Sequence, residues 1–593
     1  MKYNNLKTVI FSIFGLLIFF GCESFLEVEP LNELSADSAF SSEAGADLFL
    51  NDLYVRLPDY EGNFGNDRTQ THGIAWDNWE YFSSFYISRI PFATTVRRSK
   101  DRAFTPSSFS GPTGIYNNNF PSVDFRYDVI RQRIRDCNFF IETLTENQSN
   151  YSNTFFETRR AEAKFVRAYL YMLIWRAYGG VPLVTEVLNQ NEMGDDIFVE
   201  SSSIREVYEF MSGELAEASA SLPNEVGEGH ATQGAALALK AYIDLFMGDI
   251  ARDPRPSAIG APDIAYATAA YNAAAQACQD IMDLGIYGLL PNYEAVFTEA
   301  NNNSIESIFA YQHIAETRNS GRSSRFAPFS SWNNTGVSGI GIPTQQLVDK
   351  YKMSDGLPIS ESPLYDPLNP YDNREPRFYQ SILYDGANWA GADWTLEGSG
   401  AAEALNPPIN NRQSTGYARK KGINESLRGP DVSSDAVNFM FFRYAEVLLM
   451  YAEAKIKSGN ADQMAIDAID QVRARGGIPT LEFANGVSPL TFSQQQLEDI
   501  IFDERAVELA FELKSYWDII RNRKAGDMLN GPVLGVRRNV SNQYETFNVH
   551  GSIWSSDTYY LMPIYIEWLE RNPAWPEDPT QPNGRVAGQN PGY

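Results

Sequence analysis

An aromatic cluster with neighbouring polar groups lies between residues 76 and 86. It reads Trp76-Asp77-Asn78-Trp79-Glu80-Tyr81-Phe82 and continues to Phe85 and Tyr86. Flat indole and phenol rings stack on the C–H faces of sugars and lose little conformational entropy. Carboxylates and amides beside them hydrogen-bond hydroxyl groups and fix a ligand's orientation. We therefore expect ligand contacts from Trp76, Asp77, Asn78, Trp79 and Tyr81. The alternative is that Trp76 or Trp79 anchors this segment to a protein core.

A second candidate platform is the indole of Trp332, which is followed by Asn333 and Asn334 in a stretch rich in Ser, Asn and Gly. An exposed indole beside two amides has the same chemistry as the first cluster. Trp332 and Asn333 are therefore predicted ligand contacts, and no catalytic step is needed for this chemistry.

Signatures of catalysis and metal binding are missing from the sequence. Glycan hydrolysis needs two carboxylates at a defined separation, and 75 acidic residues single out no pair. The four histidines are far apart and form no H-E-x-x-H pattern. Oxygen atoms between Asp366 and Asp372 suit calcium, but a solvated turn is the simpler interpretation. We predict no catalytic residue, no metal and no cofactor.

Charged and aromatic residues near the C-terminal end favour structural roles. Glu446 and Glu453 are seven residues apart and share a helix face, as do Arg505 and Glu508. These spacings predict salt bridges rather than catalytic pairs. Tyr516-Trp517 is predicted to lie in the core.

Helical periodicity dominates the sequence around these candidate residues. The predicted helices cover residues 41–57, 125–144, 157–178, 204–221, 234–247, 264–284, 437–457, 461–475 and 493–523. The last of them starts with Ser493 and Gln496 as a capping box. Several are rich in alanine, which lets helix axes approach closely. Helices joined by short turns predict stacked αα-hairpins resembling tetratricopeptide arrays, although no clean 34-residue repeat is present. Residues 59–122, 319–343 and 360–437 are rich in Gly, Asn, Ser or Pro and predict long functional loops.

The first residues indicate the compartment. Lys2 and Lys7 precede an uncharged apolar run over residues 9–20, followed by Gly21 and Cys22. This is a secretory signal, because a membrane-spanning helix needs roughly 18 or more apolar residues. A cysteine directly after glycine resembles the lipidation box of bacterial lipoproteins, which implies acylation of Cys22.

Overall composition excludes some classes of protein. The chain has 593 residues and a formal charge of −27, so a phosphate backbone would repel it and general nucleic-acid binding is excluded. Three cysteines exclude a disulfide framework.

Local matches in order along the chain carry a family resemblance. They are CESFLEVEP from residue 22, RAEAKFVRAY from 160, YGGVPLV from 178, RYAEVLLMYAEA from 443, ERAVELAFE from 504 and QNPGY at the end. The chain resembles the SusD/RagB family of Bacteroidetes outer-membrane lipoproteins. The resemblance implies a mostly α fold, with a tetratricopeptide-like αα-hairpin scaffold and an irregular, long-loop half that binds the ligand.

The resemblance also implies function. It indicates cell-surface, non-catalytic capture of a nutrient oligosaccharide and its delivery to a SusC-like TonB-dependent outer-membrane transporter. Alternatives are a RagB-like peptide receptor, a surface glycan hydrolase, or a scaffold that grips only another protein. The predicted organisation is a signal peptide over residues 1–21, an N-terminal SusD-like region over 22–300 with most of the tetratricopeptide-like helices, and a C-terminal SusD/RagB region over 301–593.

Overall fold

The fold is mostly helical. A computed structural model describes residues 39–58, 60, 79–87, 127–225, 227–256, 260–315, 317–326, 341–389, 391–393, 415–427, 429–552, 554, 556–572, 574 and 590. The main helices are α1 (Glu43–Val55), α2 (Tyr127–Glu146), α3 (Asn153–Tyr178), α4 (Ile204–Ser221), α5 (Gln233–Arg252), α6 (Ile264–Asp283), α7 (Tyr444–Lys457), α8 (Gln463–Arg475), α9 (Gln494–Glu508) and α10 (Ser515–Arg521). Short helices lie at Gln190–Met193, Arg322–Arg325, Gln345–Val348, Pro376–Ser381, Leu481–Asn485, Ala525–Met528 and Ile566–Arg571.

Strands are short and form antiparallel pairs. They are β1 (Tyr86–Ile87), β2 (Ser307–Tyr311), β3 (Ile342–Pro343), β4 (Ile382–Leu383), β5 (Asn388–Trp389), β6 (Ala392–Asp393), β7 (Ala418–Arg419), β8 (Phe439–Arg443), β9 (Gly531–Arg538) and β10 (Tyr544–Ser552). The pairs are β1–β3, β2–β8, β4–β7, β5–β6 and β9–β10. The predicted mostly helical fold with packed helix pairs is therefore confirmed.

Successive helices pack against each other from α2 to α7, and α7 also contacts α8 and α9. Hydroxyl and carboxylate side chains cap the helix starts: Ser203 forms a capping box with Glu206, and Ser493 forms the predicted one with Gln496. Close approach of α5 and α6 depends on glycine, because a Cβ on Gly248 would lie 2.4 Å from the ring of Tyr271. This succession of packed helices is the predicted αα-hairpin stack.

Two helix predictions are corrected. Residues 439–443 form strand β8 instead of the start of α7, because their phenylalanines pair with β2 and pack on both faces. The predicted helix over residues 493–523 ends at Glu508. The carbonyl oxygen of Glu508 accepts hydrogen bonds from Tyr293, Lys421 and Arg443 instead of a helical N–H. Phe511 and Leu513 then take φ values of 64°, and α10 starts at Ser515.

Close packing at the end of α3 explains the second glycine of the sequence YGGVPLV there. Gly180 has no room for a side chain, because a Cβ would lie 2.1 Å from the carbonyl oxygen of Ser202. Near the other terminus, the buried Asn590 donates hydrogen bonds to the carbonyl oxygens of Tyr178 and Met562. The end of the chain is thus fastened to the end of α3.

A first buried ionic network joins α8 and α9 to the end of β8, to the short helix Pro376–Ser381 and to the residues just before β2 and just after β7. Its five cations are Arg377, Lys421, Arg443, Arg473 and Arg475, and its five anions are Glu306, Glu375, Glu504, Glu508 and Glu512. Burial raises the pKa of Glu512, but Arg443 and Lys421 outweigh this effect and lower it to about 2. The five positive and five negative charges of the network balance, so each buried charge has a partner of opposite sign.

A second network joins α5, α7, α9 and α10. Its cations are Lys457, Arg505, Lys514 and Arg521, and its anions are Asp249, Glu446, Glu453 and Asp518. The predicted salt bridges of Glu446 and Glu453 are therefore confirmed. Tyr516 and Trp517 are buried, as predicted.

The described ranges contain neither a membrane-spanning helix nor a cluster of metal ligands. Among these residues, no helix has both the length and the apolar character needed to cross a bilayer. The same residues contain no group of three or more His, Cys, Asp or Glu side chains placed to hold a metal ion.

Candidate ligand-binding site

The bases of the predicted binding loops meet at one pair of strands. In the antiparallel pair β1–β3, Tyr86 lies opposite Pro343 and Ile87 opposite Ile342. The chain after residue 87 and the chain before residue 342 therefore leave the same end of this pair. The Thr415 hydroxyl, which follows residues 401–414, donates a 2.7 Å hydrogen bond to the carbonyl oxygen of Pro343. Three loop segments thus start or end within one small region.

Further hydrogen bonds fasten this region. The Thr344 N–H donates to the carbonyl oxygen of Phe85 at 3.0 Å, and its hydroxyl donates to that of Ser84 at 2.7 Å. Thr344 is fully buried. Segments more than 250 residues apart in sequence are held together by backbone pairing and by this side chain.

Trp79 lies in the core. Only 2% of the residue is exposed, and its indole N–H donates a 3.2 Å hydrogen bond to the carbonyl oxygen of Leu513. Its ring centre lies 4.8 Å from that of Tyr60, and the guanidinium of Arg176 lies 5.1 Å from the indole. This packing favours the alternative interpretation, in which Trp79 anchors the segment to the helices.

Tyr81 is also buried, at 2% exposure. A Cβ on Gly341 would lie 3.9 Å from the Tyr81 hydroxyl oxygen and 3.5 Å from the ring of Phe326. Phe326 and Gly341 are the described residues on either side of 327–340, so the base of the segment with Trp332 adjoins Tyr81. Neither Tyr81 nor Trp79 therefore presents its ring to solvent.

The other predicted contacts lie outside the described residues. These are Trp76, Asp77, Asn78, Trp332 and Asn333, together with the predicted lipidation residue Cys22. Their roles stay predictions. The structure does establish where their segments are attached: Trp76 precedes the anchor Trp79 by three residues, and Trp332 lies between Phe326 and Gly341.

Comparison with known proteins agrees with this architecture. A family model described as "SusD family" matches residues 305–593, and one described as "Starch-binding associating with outer membrane" matches residues 99–245. The chain belongs to the SusD/RagB family. Members of this family that bind glycans are non-catalytic, and the family places the chain among SusD-like binding proteins of the outer-membrane surface.

Several SusD-like relatives cover nearly the whole chain. SusD-like protein P38 of Formosa agariphila is 22% identical over 553 residues, which is 90% of this chain and 94% of that protein. A SusD-like protein of Bacteroides fragilis has a TM-score of 0.71 at 24% identity and covers 95% of this chain and 100% of that one. A surface glycan-binding protein A of Bacteroides fluxus has a TM-score of 0.60 at 18% identity, over 93% of this chain and 100% of that one.

A buried carboxylate fastens the anchor of this SusD-like site to α10. Glu80 is 3% exposed and accepts hydrogen bonds from the N–H groups of Ser515 and Tyr516, at 3.1 and 3.3 Å. It therefore caps the start of α10 from a distant part of the chain. Burial raises the pKa of Glu80 from 4.5 to about 7 despite these bonds. Sequence spacing contains no signal for such a long-range cap.

Titration of Glu80 should make stability depend on pH. Because its folded-state pKa is raised, the native protein holds the proton more tightly, and stability falls as pH rises from 4.5 through 7. We compare the free energy of unfolding of Glu80→Gln with that of wild type at pH 4 and at pH 8.5. The difference should shift by about 3 kcal/mol in favour of the variant at the higher pH, because only the wild type loses stability there. Urea unfolding at the two pH values measures this change. The control is Glu299→Gln, at an exposed position. If Glu80→Gln differs from wild type by the same free energy of unfolding at both pH values, the raised pKa of Glu80 is contradicted.

Proposed function

We propose that this protein is a cell-surface, non-catalytic receptor that captures a nutrient oligosaccharide and delivers it to a SusC-like TonB-dependent transporter. Acylation of Cys22 would tether it to the outer membrane. In this proposal Trp76 and Trp332 are stacking platforms, and Asp77, Asn78 and Asn333 hydrogen-bond sugar hydroxyls. Trp79 and Tyr81 hold the first platform in place from the core.

One observation supports the proposal most strongly: the Tyr81 hydroxyl adjoins Gly341, so the segment with Trp76, which ends at Trp79, and the segment with Trp332, which ends at Gly341, are attached close together. A glycan chain presents a series of apolar ring faces, and two indoles rooted in one place can contact successive rings. Strand β3 lies within residues 305–593, the range that matches the family model described as "SusD family". A protein of Bacteroides fragilis with a TM-score of 0.71 is named a SusD-like carbohydrate-binding protein, which supports the same ligand class.

Removing the two platforms should weaken glycan binding without unfolding the protein. Trp76→Ala and Trp332→Ala are each expected to cost about 1–3 kcal/mol of binding free energy, because a stacked ring face is lost. Isothermal titration calorimetry with an oligosaccharide that binds the wild type measures the cost. The matched control is Phe483→Ala, which removes an aromatic ring that is 77% exposed on the short helix Leu481–Asn485.

The outcomes separate binding from folding. The Phe483 variant should bind like wild type, and both tryptophan variants should keep the wild-type melting temperature. A large fall in melting temperature would instead identify the tryptophan as a core residue. Unchanged affinity in both variants would contradict the proposed platforms.

The partner and the anchor require their own experiment. A pull-down with the tagged full chain from detergent-solubilised outer membrane should recover a TonB-dependent barrel. Cys22→Ser should abolish incorporation of a radiolabelled fatty acid and release the protein from the membrane fraction. Recovery of no barrel would contradict the transport role.

A further inference from the structure

A cavity that shares no lining residue with the β1–β3 pair lies between α2, the end of α3 and residues 182–199. Its volume is about 380 Å³, which is within the range of roughly 300–1,000 Å³ for small-molecule sites. Ile134, Tyr171, Ile174 and Pro182 form an apolar floor that is itself buried. Asn572, from the C-terminal part of the chain, closes one side.

Hydrogen bonds hold one wall of the cavity in place. The Tyr171 hydroxyl accepts from the N–H of Val184 at 2.8 Å and donates to its carbonyl oxygen at 3.0 Å. The buried Asn138 amide donates to the carbonyl oxygens of Val184 and Glu186, both at 3.0 Å. The N–H of Val187 donates to a carboxylate oxygen of Glu142 at 2.8 Å. The wall is therefore preformed, which lowers the entropic cost of binding.

Two exposed arginines occupy the rim on α2. Arg131 and Arg135 are one helical turn apart, line the cavity, and make no hydrogen bond or ion pair with any residue in the described ranges. Like charges at this spacing destabilise a helix slightly, and positive charge in the N-terminal half gains nothing from the macrodipole. The fold itself does not require these guanidinium groups. The two guanidinium groups form a local positive patch that is suited to attract an anion, despite the formal charge of −27 on the whole chain.

The remaining rim groups can bind hydroxyls. Gln132 and Gln190 are exposed, and among the described residues their side-chain amides have no hydrogen-bond partner. Asp128 and Glu186 add carboxylates that accept hydrogen bonds but also repel anions. An anionic group must therefore lie at the arginines, with neutral hydroxyls toward Asp128 and Glu186.

We propose that this cavity, the α2 cavity, is a second saccharide site that binds a short acidic saccharide through Arg131 and Arg135. The guanidinium forks bind the oxyanion, which is a carboxylate of a uronic acid or a sulfate ester, and the apolar floor contacts a ring face. The inference rests on the proposed glycan binding and adds to it a separate location and a ligand charge. Carboxylates and sulfates share this chemistry, and the experiment distinguishes them.

Titration calorimetry of the full mature chain tests the site with three named probes of equal length: an oligogalacturonate, a sulfated galactan oligosaccharide and a neutral malto-oligosaccharide. At least one acidic probe should bind, and Arg131→Gln/Arg135→Gln should weaken its binding by at least about tenfold, because charge-assisted hydrogen bonds are lost. Hydrogen exchange should show protection of residues 184–199 when that probe is added.

Matched variants distinguish this site from the β1–β3 site. Arg205→Gln/Arg537→Gln removes the same charge from exposed positions elsewhere and should bind the acidic probe like wild type. Trp76→Ala/Trp332→Ala should leave protection of residues 184–199 intact. If acidic-probe binding is lost in the tryptophan variant but not in Arg131→Gln/Arg135→Gln, the α2 cavity is not a site, whereas the main function stands. Failure of both acidic probes to bind also overturns the inference.

Discussion

Arg443→Met is expected to lower the free energy of unfolding by about 3–5 kcal/mol, the cost of removing one partner from a buried ionic set. Arg443 is 1% exposed and contacts carboxylates of Glu306, Glu508 and Glu512 at 2.7–2.8 Å. Methionine fills similar volume but leaves the first network with a net charge of −1. Urea unfolding at pH 7 measures the loss.

The pH dependence separates charge from packing in this variant. Glu512 has a lowered pKa of about 2, so its stabilising contribution is present above pH 4.5 and is lost as pH falls toward 2. Without Arg443 this lowering is smaller, so the difference between wild type and variant should shrink from pH 7 to pH 3. The control Arg537→Met breaks an exposed pair with Glu545 and should cost no more than about 1 kcal/mol. A difference for Arg443→Met that is independent of pH would contradict the electrostatic explanation.

Trp79→Ala should also destabilise the fold, by about 3–5 kcal/mol, because a large buried ring is removed from a packed core. The indole is enclosed by Tyr60, Trp517 and the Arg176 guanidinium, and its N–H is bonded to Leu513. Thermal and urea unfolding measure the change. The experiment also decides between a core role and a ligand role for this residue.

Trp79→Phe is the matched variant for this prediction. It keeps an aromatic ring but removes the hydrogen bond to Leu513, so it should cost clearly less than the alanine variant. If Trp79→Ala keeps wild-type stability and loses glycan binding, then the ring is a ligand platform and its burial has been misinterpreted.

Much of the fold was predictable because helical periodicity and capping are local signals. Helix α4 was predicted with the observed bounds, and the capping box at Ser493 was identified from two residues. The break after Glu508 was not predictable, because it depends on hydrogen bonds from Tyr293, Lys421 and Arg443, which are distant in sequence. Strand β8 was missed because its partner, β2, is more than 120 residues away.

Site prediction from sequence was limited by burial. An aromatic cluster has the same residue types whether its rings face solvent or core, and only the packing shows that Trp79 and Tyr81 are buried. The pairing of Ile87 with Ile342, which brings the two predicted loops together, has no local sequence signal. Arg131 and Arg135 were not singled out either. Their distinctive property is that neither forms a hydrogen bond or an ion pair with a described residue, which depends on the whole surface.

The most direct test of the account is a calorimetric titration of the purified mature chain with a panel of neutral and acidic oligosaccharides and an oligopeptide mixture. We expect at least one oligosaccharide to bind, and we expect Trp76→Ala/Trp332→Ala to reduce its affinity at least about tenfold while the melting temperature is unchanged. The opposite result is that no oligosaccharide binds to the folded protein while the oligopeptides do. That result would contradict the glycan-receptor function.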